Sequence, residues 1–228
     1  MKVLNLTISV IKNIVNDNED FYKVLRKTFD TKDITKEEKK TVTVFAGCIL
    51  RHYLCFKDLL NRNFKNIDED FKIVIMFMLA NVSFLRRLSE DEWASKLNTY
   101  IKENALDVDN DLIFNFIKSK VDGNTLIDDT IEKTSHYYCS LRFNLPIFLT
   151  KMWSRTFSKK LTYKIAKSIT KNPRQLVKVN TLKISESDFE NKFAKDFIRT
   201  EYDGLYEYIG SEPLKRLPLY QNKKIFAI

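Results

Sequence analysis

The sequence predicts a mainly α protein: a helical bundle followed by a small α+β module. Three observations carry this. Glycine and proline number four each in 228 residues, together about a third of ordinary usage, whereas sandwiches and barrels need many turn residues. Apolar residues recur at helical spacing behind capping signatures until about residue 170. The first clean alternation of a strand arrives only at 176–182.

In chain order, Leu4, Ile8, Ile11 and Val15 share one helical face, and Phe21, Val24, Leu25 and Thr28 share a second. Thr35 followed by Glu38 is a capping box, in which the hydroxyl and the carboxylate satisfy free N–H groups at the helix start. The helix it opens is expected to run to about Leu60, through Val44, Cys48, Leu50, Leu54 and Leu59. Gly47 within it is expected to let another helix approach closely, and Arg51 to bond the last carbonyls of a neighbouring helix. Asp68 caps the next helix, which is apolar nearly all round over 73–82. Such a helix belongs at the centre of a bundle. Ser89 with Glu92 forms a second capping box, opening a helix through Trp93, Leu97 and Ile101. Asp109 caps another with Leu112, Ile113, Phe116 and Ile117, which Asp122, Gly123 and Asn124 stop. Residues 1–134 are thus expected to form one helical domain.

At 135–140 the pattern breaks. His136, Tyr137, Tyr138, Cys139 and Ser140 show no helical period and are expected to be a linker. Tyr137 and Tyr138 are read as packing there, with stacking on bases as the alternative. Residues 141–228 are read as a separate basic α+β module. Leu145, Phe148, Leu149 and Met152 start a helix with Trp153 beside that face. Another begins near Ser158, uses Leu161, Ile165 and Ile169, and ends at Asn172 and Pro173. After the strand at 176–182, Ser185 caps a helix carrying Phe189, Phe193 and Phe197, and strands are expected at 205–209 and 225–228.

Composition removes several classes. Seventeen Phe and ten Tyr exclude a disordered chain. The longest apolar run, 73–80, is less than half a bilayer span, and the N-terminus lacks a signal core, so the protein is read as cytoplasmic with no membrane partner. Cys48, Cys55 and Cys139 lack paired spacing and fit reduced, buried thiols, and with only His52 and His136 a zinc site is not expected. The four glycines lie singly at 47, 123, 204 and 210, so no phosphate loop exists, and no catalytic residue is assigned.

The charge is informative. Residues 1–140 carry 21 basic and 22 acidic groups, and residues 141–228 carry 18 and 8. Between Lys133 and Ser185 there are 12 basic residues and no acid. Lys160, Lys164, Lys167 and Lys171 recur at helical spacing, and Lys151, Arg155 and Lys159 are read as a similar row on the preceding helix. With Arg142, Arg174, Lys178 and Lys183 they form the candidate RNA-binding set. Such a field attracts a polyphosphate and releases counterions on binding. Its richness in Lys points to phosphate positioning rather than base readout. The plain alternative is a solvated lysine-rich face, although solvated faces usually mix signs.

Two stretches resemble a known family. Gly47 and Arg51, preceded by Val44, Phe45 and Ala46 and followed by Leu54, resemble the Gly-x-x-x-Arg helix of NusB-like RNA-binding domains. Ser140 to Leu149, then Trp153, resembles the entry to the second part of bacterial ribosomal RNA cytosine-C5 methyltransferases of the Sun/Fmu (RsmB) type. Asn172, Pro173 and Arg174, then Leu176 and Val179-Asn180-Thr181-Leu182-Lys183, resemble that family's N-x-P-P-x-x-L-R-V-N-T-L-K segment, with Lys178 where Arg is usual. The resemblance implies a front part that positions small-subunit ribosomal RNA for methyl transfer to cytosine C5. It implies S-adenosylmethionine as cofactor of the full-length enzyme, and a C-terminal catalytic domain of the same polypeptide that is missing here. The chain alone is therefore expected to hold no cofactor and to be inactive. A free-standing NusB-like, antitermination-type factor is the alternative, and a helical interaction scaffold a further one.

Overall fold

A computed structural model describes residues 1–30, 33–64, 67–121, 126–171 and 174–228. The expected stops at 122–124 and 172–173 lie outside the described residues. The fold is mainly α with one small antiparallel sheet, as the sequence predicts. The chain divides into two compact units, Met1–Lys167 and Ser168–Ile228.

In the first unit, α1 (Lys2–Asp17) and α2 (Phe21–Asp30) follow the predicted faces. Thr35 caps α3 (Lys36–Arg51) and Ser89 caps α6 (Glu90–Glu103), each with both bonds of the capping box in place. Asp68 caps α5 (Glu69–Ala80), and Asp109 caps α7 (Asn110–Lys118). Every residue from Ile73 to Ala80 is buried, and α5 packs against α1, α3, α6, α7 and the helical stretch Tyr53–Asn63. It is the central helix its all-round apolar surface requires. Phe77 on α5 stacks on Phe45 of α3 with ring centroids 3.9 Å apart.

The long helix expected from Thr35 to Leu60 is instead two. It breaks at His52, where α3 ends and α4 (Tyr53–Asn63) begins. The break exposes backbone groups that Asn144, far along the chain, satisfies. Its amide nitrogen donates to the Leu50 carbonyl at 2.8 Å, and its amide oxygen accepts from the Leu54 N–H at 2.9 Å. Asn144 itself sits in the left-handed region at φ 52, which Asn tolerates better than most residues. His52 stacks on Phe84 with centroids 4.0 Å apart. Burial, then the charges of Arg51 and Arg142, push its pKa down to about 4. Unfolded, it returns to about 6.5. The unfolded chain therefore binds a proton first as pH falls, and stability is lost between about pH 6.5 and 4. The thermal midpoint of His52→Gln is expected to fall less than that of the wild type over this window. Parallel curves would show that His52 carries no such linkage.

Two expectations about α3 are corrected. An added Cβ at Gly47 would meet only the Phe21 ring, at 3.9 Å, so no close approach requires the glycine. Gly47→Ala is expected to stabilise by about 1 kcal/mol, because a mid-helix glycine costs that much relative to Ala. A rise of roughly 2–4 °C in the midpoint checks this; a fall would restore the close-approach reading. Arg51 is exposed, and no described carbonyl accepts from it.

Residues 135–140 are helix rather than linker. Ser135 caps α8 (His136–Phe143), and Cys139, Ser140, Leu141 and Phe143 are buried. Leu141 joins the main core of the bundle, which explains why the chain divides after Lys167 rather than here. The Tyr137 hydroxyl donates to the Asp58 carboxylate, while Tyr138 packs against that core.

In the second unit, β1 (Gln175–Val179), β2 (Phe197–Arg199), β3 (Leu205–Tyr208) and β4 (Ile225–Ala227) form an antiparallel sheet in the order β2-β3-β1-β4. Val177 pairs with Tyr206 and Ala227, and Phe197 with Tyr208. Ser185 caps α11 (Glu186–Phe193), whose Phe189 is wholly buried among Phe197 and Tyr206. Phe197 thus lies on β2, not on the helix predicted to carry it. Gly204, at φ 69, supplies the left-handed turn into β3. The last helix is α12 (Pro218–Gln221).

Candidate nucleic-acid interface

Three short helices build the cationic part of the first unit. After α8, Pro146 precedes α9 (Ile147–Thr156). Ser158 then accepts from the Leu161 N–H at 3.2 Å at the start of α10 (Lys159–Ile169). Cys139, Phe143 and Ala166 form their shared small core, with Leu145 and Trp153 packed against it. The Thr150 hydroxyl, fully buried, lies 3.1 Å from the His136 carbonyl and ties α9 to α8. Phe148, Met152 and Leu161, predicted to face a core, are exposed instead, because α9 and α10 bury Thr150, Thr162 and Ala166.

The eleven predicted cations fall in both units, and all are exposed. Arg142 lies on α8, and Lys151 and Arg155 lie on α9. Lys159 opens α10 rather than extending the row on α9, and Lys160, Lys164 and Lys167 follow it on α10. Lys171 lies beyond the end of α10, in the second unit, so the expected four-lysine helical row stops at three. Arg174 pairs with Glu207 at 3.7 Å. Lys178 stands on β1 between Leu205 and Phe226. The Lys183 ammonium donates to the Asn222 carbonyl at 3.0 Å. The second unit thus holds its Arg174 and Lys183 with its own acceptors.

In the first unit, the lysines of α10 rim a cavity of about 660 Å³. Lys133 joins them from the segment before α8. Cys139, Tyr163 and Thr162 contribute to its wall, with His136 and Ser154, whose hydroxyl lies 3.0 Å from His136 Nδ1. No carboxylate of the described residues lines it. Thr162 is 3% exposed, and its hydroxyl oxygen has no hydrogen-bond partner among the described residues. A buried polar group left unpaired costs about 1–3 kcal/mol.

Sequence reasoning missed Lys133, His136, Ser154, Thr162 and Tyr163 as neighbours of the lysines. The available signal was that Lys133 opens the acid-free run and Thr162 and Tyr163 interrupt its lysines. Burial favours the protonated thiols: it pushes Cys48 up to about 11 and Cys55 up to about 12, and raises Cys139. Among the described residues no metal-ligand cluster exists, and no helix is long and apolar enough to cross a membrane.

No family model matches the chain, and no curated protein matches it. Among solved structures, that of PH0851 matches with a TM-score of 0.51 at 12% identity. The likeness covers 100% of this chain and 52% of that one. The chain therefore spans about half the length of the solved structure it matches. At this identity the likeness is one of fold.

Proposed function

We propose that the chain is the RNA-binding region of an S-adenosylmethionine-dependent ribosomal RNA (cytosine-C5) methyltransferase of the Sun/Fmu type, a NusB-like bundle with a basic module that positions small-subunit ribosomal RNA. The observation that carries this is the lysine wall of α10 around a cavity that no carboxylate of the described residues lines. The likeness of fold to PH0851 along the whole chain supports it. The work of this region is to neutralise phosphates and hold register, leaving sequence choice and chemistry elsewhere.

The methyl donor and the attacking cysteine are assigned to a catalytic domain outside this sequence. The described residues do not fit that cofactor. Gly47 sits inside a helix and Gly204 in a turn between strands. A Cβ at Gly210 would collide with the Tyr208 hydroxyl and the ring edge that bears it, so none of the three forms an open glycine cradle. The lysine rim also repels a sulfonium.

The second reading, a free-standing NusB-like factor, places the RNA on the bundle. Arg51 and Arg142 favour it, since both are exposed cations of the first unit.

Binding of a single-stranded ribosomal RNA fragment, followed by fluorescence anisotropy from 50 to 200 mM salt, tests the proposal. With about five phosphate contacts the log–log slope is expected near −3.5, at about −0.7 per contact. Affinity then falls roughly a hundredfold across that range. Absent or salt-indifferent binding overturns the proposal.

A further inference from the structure

We propose that the cavity among α8, α9 and α10 is a nucleotide site, taking one base inside and its 5′-phosphate on the lysine rim. The inference rests on the RNA-binding reading and deepens it. The volume of about 660 Å³ lies within the roughly 300–1,000 Å³ of small-ligand pockets. The chamber joins three features a nucleotide uses separately.

The rim is cationic. Lys159 and Lys160 stand in the first turn of α10, whose free N–H groups also favour an anion, and Lys164 follows one turn on. The wall is largely apolar, made from lysine stems, Cys139 and the Tyr163 ring, which suits the face of a base. In its wall the buried Thr162 hydroxyl has no partner among the described residues, and Ser154 and His136 add polar groups. A base edge offers the partner that the Thr162 hydroxyl lacks among the described residues. An inorganic anion would use the rim and leave the chamber empty. An uncharged lipid would leave the lysines unused. The placement also explains why this part of the acid-free run differs from a solvated face: its cations surround a concavity rather than standing on a convex surface.

The test keeps every charge in place. The full chain is titrated with adenosine and uridine 5′-monophosphates, and separately with a single-stranded RNA decamer carrying one 4-thiouridine. Ser154→Leu projects into the chamber, and Thr162→Val removes only the hydroxyl at nearly constant shape. Circular dichroism confirms that each variant is folded; if Ser154→Leu is not, Thr162→Val carries the test. For the decamer, Ser154→Leu is expected to weaken binding at least tenfold and Thr162→Val about threefold, with the salt slope unchanged. Photocrosslinks are expected on the lining residues of α8 and α10. Wild-type affinity in folded Thr162→Val and Ser154→Leu, with crosslinks elsewhere, overturns the nucleotide site but leaves salt-dependent RNA binding standing. Monophosphate binding that Ser154→Leu abolishes, without decamer binding, upholds the site and overturns the RNA reading. No binding of either probe overturns both.

Discussion

Replacing Phe45 by Ala is expected to destabilise the first unit by about 3–5 kcal/mol, the usual cost of emptying a buried aromatic site. Phe45 is wholly buried, and its ring lies nearly parallel to that of Phe77. It is the seam between α3 and the central helix α5. The surrounding side chains belong to several helices, so the space cannot close by moving one of them. The loss is a large part of the roughly 5–15 kcal/mol that holds an ordinary domain. The thermal midpoint of the first unit is expected to drop by roughly 6–20 °C, at 2–4 °C per kcal/mol. Phe148→Ala is the control: that ring is 68% exposed and its loss is expected to change stability by less than about 0.5 kcal/mol. Scanning calorimetry reads both. Similar small shifts in the two variants would show that the α3–α5 seam is not the core.

The parts of this fold that were legible in the sequence are those set by local chemistry. Thr35 with Glu38, and Ser89 with Glu92, announce helix starts within four residues, and both boxes form. The apolar run at 73–80 announces a central helix because no face of it tolerates water. The strand at β1 shows its alternation, with Val177 and Val179 buried and Lys178 exposed. What was not legible depends on partners far away. The break at His52 follows a continuous helical pattern, and only Asn144, arriving from the far end of α8, makes it affordable. Helix α8 was missed because its buried face includes the polar Ser140, whose hydroxyl donates to the Leu145 carbonyl at 2.5 Å. Its cap, Ser135, was there to be read. On α9 the apolar period was real but faces solvent, since Thr150 rather than Phe148 takes the buried side. The cationic residues themselves needed only the charge count. Their arrangement around Thr162 needed three helices folded together, which no spacing along one helix reveals.

The central claim is that specific lysines of the first unit, not net charge, hold RNA. Lys159, Lys160 and Lys164 are exposed on one short helix and line a cavity without a carboxylate among the described residues. Their neutralisation as K159Q/K160Q/K164Q is expected to remove about three phosphate contacts. The log–log salt slope then becomes shallower by about 2, at about 0.7 per contact, and affinity at 0.1 M salt falls roughly a hundredfold. The fold survives, because these side chains are in solvent. The matched control is K36Q/K40Q/K102Q, three exposed lysines of the same unit set among acids. The salt dependence of RNA affinity for the wild type and these two triple variants is the most direct measurement. The account predicts a shallower slope for the first triple variant alone. Equal changes in both would contradict it by showing a diffuse net-charge effect, and an unchanged slope in a folded K159Q/K160Q/K164Q protein would move the RNA to the bundle near Arg51.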